Sequence, residues 1–157
     1  MLDGTLGQAG DALHVAAALG CAVEGWEHSP TLFSLLEEGL PRLAKEPAPC
    51  GPAAERVQAH HGDSGDAFAS LPADYADAVL LAPMYNRPDK AAPGFDLLRA
   101  VADHAALQRK TVTAALVVAP RVVVKWPRGA KTPDALDGFR PTLVEGHRVA
   151  YWTVERS

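Results

Sequence analysis

Residues 3–29 read DGTLGQAGDALHVAAALGCAVEGWEHS, from Asp3 to Ser29. Gly4, Gly7 and Gly10 allow a sharp turn and a close backbone approach before a helix begins. Residues 11–19 (DALHVAAAL) are rich in Ala and Leu and stop at Gly20, so they predict a helix. Residues 21–27 follow as a short strand. Ser29 suits an N-cap and Pro30 the first helical position, ahead of a helix over residues 31–43 with apolar positions at Leu32, Leu35, Leu36 and Leu40. A glycine turn, helix, strand and capped helix in succession is the unit of a parallel sheet.

Outward from that unit the alternation continues. Residues 45–54 (KEPAPCGPAA) read as a Pro-rich loop, and a helix-like or extended piece runs to Ala59. His60 and His61 end a short strand, and residues 67–71 make one helical turn. Residues 78–81 are a continuous apolar strand, the kind buried on both faces of a parallel sheet. Pro83 breaks it, because a residue before proline avoids the helical region. Residues 86–94 form a polar loop, 95–107 a helix (Leu97, Leu98, Val101, Ala105), and 112–118 a second helix. Residues 121–125 (RVVVK) are another central strand and 126–141 a long loop. Residues 142–154, divided at Gly146-His147, are an antiparallel hairpin. The fold class is therefore α/β, a doubly wound, mostly parallel sheet with a C-terminal antiparallel hairpin, in a single domain over residues 1–157.

Composition supports a globular domain. The chain of 157 residues is 48% hydrophobic and 22% charged, which excludes a disordered chain or a disulfide scaffold. Its longest apolar run, residues 112–119, is about half of the roughly 20 residues a membrane helix needs. An acid at Asp3, where a secretory leader carries positive charge, argues for a cytoplasmic protein. Cys21 and Cys50 fit no metal or redox spacing and are expected as reduced thiols, one of them in the core. His60-His61 has no partner at a zinc-binding interval, so no metal is implied. Charge is unevenly divided. Residues 1–78 hold twelve Asp and Glu against Arg42, Lys45 and Arg56, a balance of −9; residues 79–157 hold seven acids against twelve Lys and Arg, +5, and the two give the chain's −4. A basic second half can face phosphates, although two oppositely charged halves of one globule would also simply attract.

Doubly wound sheets bind ligands beyond the carboxyl ends of their strands. Here those ends are residues 3–10, 27–29, 62–64, 82–85 and 125–127. The first is a Gly-rich turn that is neither the dinucleotide fingerprint G-x-G-x-x-G nor a P-loop. An NAD-binding oxidoreductase would rest on that turn and Glu27 alone. Glu27, at the end of the next strand, has the position from which an acid accepts ribose hydroxyls. Asp63, in Gly62-Asp63-Ser64, could meet an adenine amine or simply cap a helix. The fourth is L-A-P-M-Y, Leu81 to Tyr85, a strand end that turns at Pro83 and presents an aromatic.

These four, in order, resemble a class I S-adenosylmethionine-dependent methyltransferase. The segments from Asp3 to Leu40, then DAVLLAPMY, RVVVKWP and EGHRVAYW, resemble the bacterial small-subunit rRNA guanine-N2 methyltransferase family, from Asp3 to Trp152. The resemblance implies a Rossmann-like methyltransferase sheet and S-adenosyl-L-methionine as cofactor. It implies binding through Asp3, Gly4, Thr5, Gly7 and Asp11, with Glu27 on the ribose and Asp63 and Ser64 near the adenine. The partner it implies is ribosomal RNA or the small ribosomal subunit, methylated on the exocyclic N2 of a guanine. On the acceptor side it implies that Ala82 and Pro83 occupy the catalytic turn, where Tyr85 can stack on a flipped base and Lys125 and Arg128 can face RNA phosphates. Lys125 could equally extend into solvent, and Trp126 could cover the core as readily as stack on RNA. His147 and Arg148 sit at the hairpin turn.

Three positions depart from the family pattern. Ala9 stands where the family has glycine, with Gly10 next to it to compensate. Only Met1 and Leu2 precede Asp3, so the first strand is expected to be missing or a stub. Ala82 stands where amino-methyltransferases carry Asp, Asn or Ser, whose oxygen accepts a hydrogen bond from the target amine. A methyl side chain accepts none. Asn86, Asp89 and the Ala82 carbonyl are the nearby substitutes, and a catalytically impaired cofactor- or RNA-binding relative is the alternative function.

Overall fold

The structure is a computed structural model that describes residues 1–84, 100–102 and 104–156. Its strands are β1 (Leu2–Asp3), β2 (Val23–Glu27), β3 (Val57–His61), β4 (Val79–Leu81), β5 (Arg121–Pro127), β6 (Thr142–Glu145) and β7 (Val149–Glu155). They form one sheet in the order β3-β2-β1-β4-β5-β7-β6. β1 to β5 pair in parallel, and β7 pairs antiparallel with both β5 and β6. The doubly wound sheet and its antiparallel end are as the sequence predicts.

The first strand is the expected stub, yet it sits at the centre. Leu2 and Asp3 pair with Glu24 and Gly25 on one side and with Val79 and Leu80 on the other. Main-chain bonds carry the pairing past both ends. Glu24 N–H donates to the Met1 carbonyl at 3.1 Å, Gly4 N–H to Leu80 at 2.9 Å, and Leu6 N–H to Trp26 at 3.0 Å. Leu2, 1% exposed, enters the apolar core, and that burial helps hold the short strand in place.

The helices are α1 (Gly10–Leu19), α2 (Pro30–Leu43), α3 (Cys50–Ala54), α4 (Ser64–Ser70) and α5 (Arg109–Val118), with a 3-10 turn at Asp134–Leu136. Two apolar cores result. One joins Leu2, Phe68, Val79 and Leu81 to Val112, Ala115 and Val118 of α5 and to Val122 and Val124 of β5. The other joins Leu6, Ala9, Ala12 and Ala16 to Val23, Leu36, Ala53 and Val57. Gly20 ends α1 in the left-handed conformation (φ 63), and the Ser29 side chain accepts from Leu32 N–H at 3.3 Å, so the stop and cap expected from sequence are in place.

Four expectations need correction. The stretch read as a Pro-rich loop over 45–54 ends in α3, because its last residues are small and bury Gly51, Ala53 and Ala54. The single turn at 67–71 is a longer helix, started at Ser64 by the Asp63 cap. Of the helix expected over 95–107, residues 95–99 and 103 lie outside the described residues. Ala100 and Val101 are helical, but residues 104–108 carry no helix and α5 starts anew at Arg109. Neither cysteine is in the core: Cys21 is half-buried and Cys50 exposed, both as free thiols. No helix among the described residues is long and apolar enough to cross a membrane, and they contain no cluster able to hold a metal.

Candidate functional site

Strand order reverses between β1 and β4, where neighbouring chains leave the sheet in opposite directions and open a crevice. The glycine turn leaves β1 at this point. Gly7 adopts φ 55, a left-handed conformation open to glycine at little cost. Its N–H donates to Glu27 Oε2 at 2.8 Å, while Ser29 N–H donates to Oε1 at 2.7 Å. Glu27 is 6% exposed, so its carboxylate pins the glycine turn to the end of β2 through main-chain donors. Gly4 is required for a different reason than ligand approach. A Cβ there would lie 2.6 Å from Leu81 Cδ2 and 3.0 Å from Phe68 Cζ, inside the core contact.

Ala9, at the family's glycine position, itself takes the left-handed conformation (φ 58) and is fully buried. Gly10 does not compensate, since it is the first residue of α1. The strain therefore stays on an alanine, at a cost of roughly 1 kcal/mol.

Asp3 is 1% exposed. Its Oδ1 accepts from Thr5 N–H at 2.9 Å and from the Thr5 hydroxyl at 3.4 Å. Burial pushes its carboxyl up to about 7; the Thr5 hydrogen bonds and the nearby Lys125 charge oppose that rise, and Asp11 adds to it. The Thr5 hydroxyl also accepts Ala82 N–H at 2.6 Å, linking β1 to the turn after β4. Lys125, at the end of β5, donates to both Asp11 oxygens at 2.7 and 2.8 Å, so it bends onto α1 rather than extending into solvent. Asp63 caps α4, its Oδ1 accepting from Asp66 N–H at 3.0 Å.

One cleft, about 900 Å³ with its open mouth counted, gathers most of the residues singled out from sequence. Gly4, Thr5, Gly7, Glu27, Asp63, Ser64, Ala82 and Pro83 all line it. Asp3, Asp11 and Lys125 are not in its lining, and they form a neighbouring charged cluster instead. Tyr85, Asn86 and Asp89 lie outside the described residues. Sequence reasoning missed Trp26 and Leu32, and also Ala105 to Gln108 with Lys110 and Thr111, which close one side. The run from Ala105 was hidden because its apolar spacing reads as helix. Arg109-Lys110, which interrupts the apolar run, was the available sign of a new start.

At the far side, Pro127 pairs with Val149, so the β6–β7 turn stands beside the end of β5. Arg128 donates to the His147 carbonyl at 3.5 Å and lies 3.7 Å from Glu145. Arg128, Lys131, His147 and Arg148 are exposed there. The Trp126 indole N–H donates to the Lys131 carbonyl at 2.9 Å and its ring packs partly against the core.

Compared with known proteins, residues 1–148 match the SAM-dependent methyltransferase family model SAM_MT. The chain belongs to the SAM-dependent methyltransferase family. It is 37% identical over 158 residues to ribosomal RNA small subunit methyltransferase J of Vibrio vulnificus (strain YJ016), covering 91% of this chain and 58% of that one. To the protein of the same name from Marinobacter nauticus it is 36% identical over 156 residues, covering 96% and 54%. The chain thus spans somewhat more than half the length of the curated relatives it matches. Among solved structures, a SAM-dependent methyltransferase from Neisseria gonorrhoeae superposes with a TM-score of 0.70 at 23% identity, over 98% of this chain and 60% of that one. An RNA methyltransferase from Salinibacter ruber, solved with S-adenosyl-L-homocysteine, gives 0.54 at 15% identity, over 98% and 78%. Both likenesses speak to the fold.

The cofactor of this methyltransferase family is S-adenosyl-L-methionine, and the cleft's chemistry suits it. Glu27 and Asp63 offer carboxylate acceptors to hydroxyl and amine donors, and Leu32, Pro83 and Leu107 offer apolar surface to a planar ring.

Proposed function

We propose that this chain transfers a methyl group from S-adenosyl-L-methionine to the exocyclic N2 of a guanine in small-subunit ribosomal RNA, in the cytoplasm. The observation that carries this reading is the convergence of four separate strand ends, Gly4 to Gly7, Glu27, Asp63-Ser64 and Ala82-Pro83, on one cleft in a chain of this family. The guanine and the ribosomal partner come from the named relatives and the family resemblance, and the division of charge agrees with them. Two acids of the acidic half, Glu27 and Asp63, line the cofactor side of the cleft, and the exposed basic residues Arg128, Lys131, His147 and Arg148 offer a polyanion a place to approach.

When bound, S-adenosyl-L-methionine supplies an electrophilic methyl group on a sulfonium. In this reading Glu27 holds the ribose hydroxyls while its main-chain donors keep it in place, and Asp63 and Ser64 meet the adenine. Asp3, Asp11 and Lys125 act from behind, fixing the start of α1 against the ends of β1 and β5. Pro83 shapes the acceptor turn, and Tyr85 keeps the base-stacking role that the resemblance assigns it. The base amine is oriented by an acceptor on that turn. With a methyl side chain at Ala82, the acceptor available there is the Ala82 main-chain carbonyl.

A second reading, a relative that binds cofactor or RNA without turnover, is favoured by Ala82 alone. Calorimetric titration with S-adenosyl-L-homocysteine, followed by methyl transfer from labelled cofactor to unmethylated small subunits, separates the two. Saturable binding with label in the rRNA is the expected outcome. Binding without label selects the second reading, and a folded sample that binds no S-adenosyl-L-homocysteine overturns the first and leaves the second only as RNA binding.

A further inference from the structure

Thr5 occupies an unusual rung of the central ladder. In the parallel pairing of β1 with β4, Leu2 N–H bonds to the Ala78 carbonyl and Gly4 N–H to the Leu80 carbonyl. The next rung of a continued ladder would join Ala82 N–H to the Gly4 carbonyl. A side chain takes it instead: Ala82 N–H donates to Thr5 Oγ1 at 2.6 Å. A hydroxyl has one proton, and here it goes to Asp3 Oδ1, which also holds Thr5 N–H at 2.9 Å. Asp3 is buried, so this anchor is fixed. Thr5 and Ala82 both line the cleft, one on the glycine turn and the other on the acceptor turn. The main chain at Ala82, which must orient an acceptor without a polar side chain, therefore takes its position from the glycine turn.

We propose that Thr5 is a positioning residue whose hydroxyl couples the glycine turn to the Ala82–Pro83–Met84 turn, so that a ligand held on the first sets the geometry of the second. The kinetic consequence rests on the methyltransferase reading above; the hydrogen-bond coupling does not. The decisive variants are Thr5→Val, which keeps shape and removes the hydroxyl, and Thr5→Ser, which restores it. Amide hydrogen exchange reads the coupling directly. In the unsubstituted protein and in Thr5→Ser, the Ala82 amide is protected, and S-adenosyl-L-homocysteine protects it further. In Thr5→Val that protection and its ligand dependence are lost, and turnover falls by a larger factor than calorimetric affinity for S-adenosyl-L-homocysteine. On methylatable subunits kcat falls by about 10- to 100-fold in Thr5→Val and returns in Thr5→Ser.

An Ala82 amide in the unsubstituted protein that exchanges as fast as that of Met84, with or without ligand, overturns the proposal even if Thr5→Val does not fold. So does a Thr5→Val protein that loses cofactor affinity as much as turnover, which would make Thr5 a ligand to the cofactor. An unsubstituted protein with no turnover, whose Ala82 protection still follows ligand through Thr5, sinks the catalytic reading and leaves the coupling standing.

Discussion

Over β1 to β3 the floor of the cleft is held by main-chain N–H groups on two buried carboxylates, Asp3 and Glu27, whereas beyond β4 it ends in a turn whose leading side chain is a methyl group. The first half is constrained several times over. Gly7, Ser29 and Thr5 each donate a backbone hydrogen to a carboxylate, and the glycine turn is bonded to β2 as well. In the second half, among the described residues, the Ala82 main chain is tied to the Thr5 hydroxyl. In the function proposed above, the first half holds the cofactor on a turn fixed by backbone donors, and the second, without a polar side chain at Ala82, takes its geometry from the first.

The largest way to break this contrast is to remove the buried charge beneath the first half. Asp3 has its carboxyl raised from 3.8 to about 7. Below about pH 4 it is protonated in both the folded and the unfolded chain. Between there and pH 7 the unfolded chain gives up the proton and the folded one keeps it, so stability falls as pH rises, by on the order of 4 kcal/mol across the window. Asp3→Asn removes that slope. Urea denaturation should find the variant equal to the parent near pH 4 and more stable by a few kcal/mol at pH 8; parallel pH profiles for the two proteins would refute it.

Glu27→Ala comes next. It leaves the Gly7 and Ser29 donors without their carboxylate and takes away the acceptor proposed for the ribose. Affinity for S-adenosyl-L-homocysteine should fall by about 1–3 kcal/mol, with a stability loss of similar size. An unchanged calorimetric affinity would remove Glu27 from the cofactor site.

In the other half, Ala82→Asp restores the polar side chain that the family pattern carries. Methyl transfer to small subunits should rise by about tenfold, or 1.4 kcal/mol, with no tighter cofactor binding. An unchanged rate would show that the main chain held by Thr5 already supplies the acceptor. The smallest effect is at Ala9→Gly. Relief of the left-handed alanine should stabilise the fold by up to about 1 kcal/mol, read as a higher denaturation midpoint at constant slope.

Much of this architecture is legible in the chain because its signals are local. The Gly20 stop, the Ser29 cap, the Pro30 start and the apolar run at Val79 to Leu81 each state their conformation within a few residues. Residues 104–108 were not legible, since Ala105 to Leu107 fit a helix by spacing and lie beside the cleft only because α5 restarts at Arg109. The two cysteines likewise carry no mark of depth. At Ala9, Gly10 was the obvious residue for a left-handed turn, but the helix begins one residue too early for it to serve.

By itself the sequence determined the alternation of strands and helices, the strand ends at which a ligand could sit, and the uneven division of charge, because these follow from periodicity, turn chemistry and residue type along one segment at a time. The tertiary structure alone decided the partners. It set Lys125 on Asp11 across 114 residues and Ala82 on Thr5 across 77, and it buried Asp3 until its proton is held near neutrality. Those choices depend on which strands lie side by side and on how little water reaches the centre of the sheet, and neither is written in any short stretch of the chain.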